Sequence, residues 1–286
     1  IRCIAKGFWR VQISHMRIEV NKNYTFNSDQ FLWRYMDLHR LIYFLNAENI
    51  FFSALNSFFD PLEGITEKHL QDKEYLHVLD NKSQDEEGLP LKTKEKLHEE
   101  KQEIKERFKS RLEEIQKSYF ASCWYLDVRE SLAMWDSYSN KDSVALKFNP
   151  QDLCNWVIAA CEQVQDEDFD IMVHGKVEYF KISPFDPNDS GLKNCHHRFK
   201  GFLKDLSYKH EEEFRFLVIQ NNNDKTYNFF ELALKNLQSL DFKIVTHPQM
   251  ESWKYNNIFN ILKAKGFEHK LVKSEIPTRQ DVFDTP

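Results

Sequence analysis

Residues 207–220 read SYKHEEEFRFLVIQ, and the fold turns on how that stretch is read. Its second half is short and rich in Phe and branched residues, from Phe214 to Ile219, which predicts a strand. Side chains in a strand alternate between faces. Glu212, Phe214, Phe216 and Val218 then share one face, and Glu211, Glu213, Arg215 and Leu217 the other. Carboxylates and a guanidinium fall in one row beside apolar neighbours. An edge strand with a solvated face and an internal Glu–Arg pair accounts for such a row. So does a strand that lines a polar cleft, where neighbouring charges hold a catalytic carboxylate.

Working outward, FLWRYM at 31–36 predicts a strand and 37–46 a helix, with Leu38, Leu41, Ile42 and Leu45 on one side and Asp37 as N-cap. IFFS at 50–53 predicts a second strand, followed by a loop, ALNSFFDPLEG. Further strands are expected at 119–125, 144–148, 175–180, 240–246 and 268–273. Helices are expected at 151–164, 195–206 and 252–265, the last stopped by Gly266. The elements mix without regular β-α-β alternation, so the fold class is α+β, with a mixed or antiparallel central sheet and flanking helices. Residues 66–118 are charged and poor in large apolar groups. From Lys92 to Ser118 a narrow stripe of Leu97, Ile104, Phe108, Leu112 and Ile115 predicts a helix of about 25 residues, roughly 40 Å long. The reading is one domain over 16–286 with a long charged helical insertion at about 66–118. Its helix at 92–118 either packs on the body or meets a partner protein or a second copy of the chain. Ser14-His15-Met16 is a junction typical of expression vectors, so residues 1–15 read as a vector-derived leader and Met16 as the natural start.

A formal charge of −6 argues against broad, sequence-independent nucleic-acid binding, which needs a basic surface. The five cysteines show no CxxC spacing, consistent with free thiols in a reducing cytoplasm. Cys195-His196-His197 has no further ligands at metal spacing, so no metal site is predicted. No run approaches the ~20 apolar residues of a membrane span, so no membrane partner is expected. The sequence also lacks a Gly-rich phosphate loop, an HExxH and a GxSxG. Candidate chemistry therefore rests on a few clusters. Arg34, between Trp33 and Tyr35, offers a planar fork for phosphate or carboxylate. Ser53 precedes a loop that interleaves aromatic and polar residues up to Glu63. Trp135 and Tyr138 lie three apart, on one helical face. They serve either as aromatic core or as a stacking surface.

Taken in order, LWRYMDLHRLIYFLNAENIFFSALNSFFDPLEG (32–64), YFASCWYLDVRESLAMWDSYSNKDSVALKF (119–148), KVEY (176–179), KDLSYKHEEEFRFLV (204–218) and PQMESWKYNNIFNILKAKGF (248–267) resemble the prokaryotic domain-of-unknown-function 2971 family. That pattern includes a Met-Trp-x-x-Tyr helix and a Lys-x3-Tyr-x2-Glu-x-Glu-Tyr-Arg segment. The chain departs from it at Phe59, where an Asn is usual, and at Ser122, which precedes Cys123 instead of following it. The family's opening unit is in turn similar to ADP-ribosyltransferase-like folds, among them toxin and anti-phage defence enzymes. The resemblance implies NAD as substrate, Arg34 and Ser53 as NAD-binding positions, and Glu213 as the carboxylate at the nicotinamide ribose. Glu211 would orient or deprotonate an acceptor, protein or nucleic acid. Tyr35, Trp135, Tyr138 and Arg215 complete the candidate site, Arg215 chiefly by holding Glu211 or Glu213. Two other readings compete: a non-catalytic partner-binding module of a defence system, and a metal-dependent nuclease using Asp60, Glu63 and Glu211 or Glu213.

Overall fold

The computed structural model describes residues 15–84, 90–181, 199–221 and 225–278. The 207–220 stretch supplies β9 (Glu213–Gln220), which lies in the middle of a 10-stranded sheet. The main path runs β1 (Arg17–Val20), β6 (Phe169–Lys176), β9, β4 (Tyr119–Asp127), β2 (Phe31–Met36), β5 (Val144–Phe148), β11 (Phe242–Thr246) and β12 (Leu271–Val272). β3 (Asn49–Ala54) also pairs with β4, and β10 (Phe229–Ala233) pairs with β3. The β1–β6 and β11–β12 pairs are parallel and the other pairs in this sheet are antiparallel, so the α+β class with a mixed sheet is what the chain adopts.

Pleat alternation sorts the core. Phe214, Phe216 and Val218 of β9 join Leu41, Phe44 and Leu45 of α1 (Leu38–Ala47) in the main cluster, together with Val157 of α5 (Pro150–Cys161) and Leu262 of α6 (Ser252–Lys265). Leu217 points the other way and packs with Leu55, Ala121, Val173, Phe199 and Phe202. Asp37 caps α1 through the Arg40 amide at 2.8 Å, and Gly266 closes α6 at φ 78.

The sheet forks at β4. β2 pairs with its C-terminal end through Phe31, Leu32 and Trp33, and β3 with its N-terminal end through Ser53 and Ala54. Both neighbours lie on the same side, so β2 and β3 diverge beside Ser122–Trp124. The opening between them is where the clefts form.

The insertion is a hairpin of α2 (Glu67–Gln84) and α3 (Leu91–Ser118). Asp72 accepts from Arg107 at 3.0 Å and from Arg111 at 2.7 Å, tying the two helices together. The stripe residues Ile104 and Ile115 are buried. α3 packs on the body at the loop after β3: Gln116 donates to Pro61 O and Glu63 O, and the α3 side chain Ile115 crowds Gly64. A Cβ at Gly64 would meet Ile115 at 2.7 Å, and the residue's φ of 81 also favours glycine.

Several expectations need correction. β9 is not an edge strand; both its sides are paired and both its faces covered. The strand begins at Glu213, because Glu211 ends a 3-10 turn (Leu206–Glu211) and Glu212 is left-handed at φ 35. Within 195–206 the described part is not helical. Phe199, Phe202 and Leu203 mimic helical spacing, but Gly201 at φ 83 breaks the turn, and β8 (Leu203–Asp205) pairs in parallel with β7 (Glu178–Phe180). Cys195-His196-His197, and residues 1–14 of the expected leader, lie outside the described residues. The predicted strand at 175–180 is divided between the end of β6 and β7, while β1 and β10 are strands beyond those expected from the sequence.

Candidate functional site

A cleft of about 530 Å³ opens on the face of β9 that carries Glu213. Arg34, Tyr35, Ser53, Tyr138, Glu211 and Glu213 all line it. Strand alternation alone does not predict this meeting. Arg34 lies between Leu32 and Met36, which face the main core, whereas Glu213 projects from the opposite face. The fork resolves the conflict. At the gap between β2 and β3, the Arg34 guanidinium donates to Ser122 Oγ at 2.8 Å and to Phe51 O at 2.9 Å. Burial pulls Arg34 down to about 10, a change that Cys123 opposes and Arg40 reinforces, and it stays charged at neutral pH. Among the described residues no carboxylate pairs with it.

The opposite wall is a closed charge network. Arg215 is fully buried, and its five N–H donors are all used. Nε and Nη2 reach Glu213 at 2.7 and 2.9 Å, Nη1 and Nη2 reach Glu63 at 2.8 Å each, and Nη1 also reaches Gly201 O at 2.8 Å. Lys204 donates to Glu213 at 2.8 Å and to Glu211, and rests 4.5 Å from the Tyr208 ring centroid. Tyr138 donates to the other oxygen of Glu211. Glu63, Glu211 and Glu213 thus share the cations Arg215 and Lys204, one positive charge short of balance.

That deficit decides protonation. Burial raises Glu213, but Arg215 and then Lys204 more than reverse the effect and hold it well below the usual carboxylate range. Glu211 is the outlying member. Burial, a hydrogen bond with Glu213 and repulsion from it push Glu211 up to about 7, against the pull of Lys204. Burial works to lower Lys204, and Glu213 leads the carboxylates that push it up instead. Cys123 also lines the cleft, and burial and then Glu213 raise its thiol well above the ordinary value, which favours the thiol over the thiolate.

Two expected ligand contacts do not form. Trp135 is fully buried rather than lining the cleft; it donates to Glu130 at 2.7 Å and meets Tyr35 edge-on at 4.8 Å. Of the aromatic pair, only Tyr138 reaches the cleft, half-exposed at its mouth. Arg215 does not line the cleft and has no donor left for substrate. Tyr35 contributes its ring, while its hydroxyl accepts from the Ser131 amide at 2.8 Å. The sequence reading missed Lys204, although the KDLSYKHEEEFR motif holds it and Tyr208 at fixed spacing from Glu211. It also missed Ser122 as the anchor of Arg34, and Arg40 on the cleft wall.

Fold and site together define an α+β protein with a forked sheet and a cleft in which the carboxylates Glu211 and Glu213 share a wall with Arg34. Compared with protein-family models, curated sequences and solved structures, the chain matches none. No helix among the described residues is long and apolar enough to cross a membrane.

Proposed function

We propose that the chain is an NAD-consuming enzyme of the ADP-ribosyltransferase-like kind, transferring ADP-ribose to an acceptor or to water. The resemblance to the domain-of-unknown-function 2971 family, a cytoplasmic location and a role in toxin action or anti-phage defence belong to the same proposal. The observation that carries it is that Glu211 and Glu213 share the Lys204 ammonium in one cleft with Arg34, an arrangement that raises Glu211 and lowers Glu213. Carboxyl groups driven apart in this way divide acid–base work from electrostatic work. Glu213, ionised throughout, stabilises the positive charge that builds on ribose C1′ as its bond to the nicotinamide nitrogen breaks. Nicotinamide leaves with the bonding pair as a neutral molecule and needs no proton. The acceptor oxygen, or water, attacks C1′ and gives its proton to ionised Glu211. Arg34 takes the diphosphate with Arg40 beside it. Tyr138 orients Glu211, while Lys204 and Arg215 are positioning residues.

The nuclease alternative fits less well. Both Glu63 oxygens are bound to Arg215, Asp60 caps the Leu62 amide at 2.9 Å, and the Lys204 ammonium already bridges Glu211 and Glu213.

The test is nicotinamide release from NAD by native protein and Glu211→Gln. Glutamine copies the protonated acid that Glu211 tends to be, so the fold is retained, whereas Glu213→Gln would also unpair Arg215. Release should fall on the order of 10²–10⁴-fold in Glu211→Gln. No release by native protein, with water, nucleic acid and cell lysate supplied as acceptors, would transfer the assignment to the non-catalytic binding module.

A further inference from the structure

A second cleft, about 680 Å³, lies in the opening of the fork. It shares Arg34, Tyr35, Arg40, Ser53 and Trp124 with the first, so the two form one bent groove with the guanidiniums at its waist. Arg40 keeps Asp37 at 3.6 Å, whereas Arg34 has no carboxylate partner among the described residues, so the waist retains positive charge that favours an anion. The far lobe has a different chemistry from the carboxylate lobe. Its wall is the outward face of the β3–β10 pair. Register sets Phe229 opposite Ser53 and Glu231 opposite Phe51, while the alternate residues Ile50, Phe52, Phe230 and Leu232 enter the core. Phe51 and Phe229 stack at 5.0 Å and 28°, yet Phe229 stays 47% exposed. Beside them the Glu231 carboxylate is fixed by Tyr43 on one oxygen and by Asn49 at 3.4 Å on the other.

We infer that this lobe is a subsite for an adenine-type base of a nucleoside diphosphate. The inference rests on the NAD reading of the adjoining lobe and names where the other half of the dinucleotide goes. The stacked pair, with Phe229 half-exposed over Phe51, offers a platform for a flat heterocycle. Glu231 supplies only acceptors, and Asn49 adds an amide oxygen. That edge suits a base with an exocyclic amine. A base with a keto group there sets its oxygen against the carboxylate and loses the hydrogen bond that an exocyclic amine would make. The diphosphate lies at the Arg34–Arg40 waist, which places the distal ribose toward Glu211 and Glu213.

The experiment is calorimetric titration of the full chain with ADP and with IDP, which differ at the exocyclic group. The expected result is ADP binding at least tenfold tighter than IDP binding, a loss of at least tenfold in Phe229→Ala, recovery in Phe229→Tyr, and collapse of the ADP preference in Glu231→Gln. Equal affinity for ADP and IDP, or unchanged ADP binding in Phe229→Ala, overturns the subsite. ADP binding with this pattern but no nicotinamide release from NAD keeps the subsite and removes the NAD-consuming reading. Release that depends on Glu211 with no ADP binding does the reverse.

Discussion

Arg215 and Arg34 sit on strands of one sheet and are used in opposite ways. Every donor of Arg215 ends on a protein oxygen, and its partners Glu213 and Glu63 are buried with it. Arg34 donates to a neutral hydroxyl and a neutral carbonyl, and its charge is answered by no carboxylate among the described residues. A guanidinium neutralised on all sides serves the fold. One held by neutral groups at the floor of a cleft keeps its field for a ligand. The difference in partners matches the difference in burial: Arg215 is fully buried, whereas Arg34 is partly open to both clefts.

The comparison breaks most visibly at Arg215. Arg215→Met should cost about 3–5 kcal/mol, because Glu63 and Glu213 would be left buried and facing each other without their cation. Urea unfolding followed by far-ultraviolet circular dichroism measures this. Arg34→Met loses two hydrogen bonds without stranding a carboxylate and should cost only ~1–2 kcal/mol. Equal losses in the two variants would erase the distinction.

What the sequence disclosed follows the same division. Phe214 to Ile219 declared a strand, Leu38 to Leu45 a helix and Gly266 a helix end, because period and capping are local properties. Of the row Glu211, Glu213, Arg215, the two carboxylates line the cleft, while Arg215 is sealed behind them. Its two-sided burial was hidden, since Glu63 comes from a loop 152 residues away in the chain. Trp135 and Tyr138 shared a helix face, but local spacing does not reveal that one end of that face is roofed by Tyr35 and His247 while the other is open. The fork was the least legible feature. Nothing local announces that β4 has two partners on one side, yet only that gap brings Arg34 to the carboxylates.

A smaller effect sharpens the contrast between Glu211 and Glu213. Glu211 is raised to about 7 in the fold, so its contribution is fully present below the ordinary value of 4.5 and is lost as pH rises through about 7. Glu213 is depressed, so its contribution is present above 4.5 and lost in acid. Glu211→Gln removes the first dependence alone. The variant should match the native protein in stability near pH 4 and exceed it by about 3 kcal/mol at pH 8. Urea midpoints at both pH values decide it; a gap that does not change with pH would mean that Glu211 is an ordinary carboxylate. If Glu211 is the base, native nicotinamide release should rise with pH and level off above about 7, opposite in sense to its stability contribution. A group that costs stability in its ionised form, and is needed in that form for chemistry, marks the site and not the scaffold.

The smallest expected effect concerns how the insertion touches the site. Gln116 on α3 donates to the carbonyls of Pro61 and Glu63, in the loop whose Glu63 side chain completes the Arg215 cage. The hairpin thus buttresses the scaffold half, and none of the described side chains of α2 or α3 lines the first cleft. Gln116→Ala should cost about 1 kcal/mol in urea unfolding, the ordinary worth of such bonds. It should leave the pH dependence of nicotinamide release unchanged, since Glu211 is held by Tyr138 and Lys204 and not by Glu63. A shifted pH profile in Gln116→Ala would show that the scaffold network and the acid–base group are one coupled unit. Arg215 would then belong to the site as much as Arg34 does.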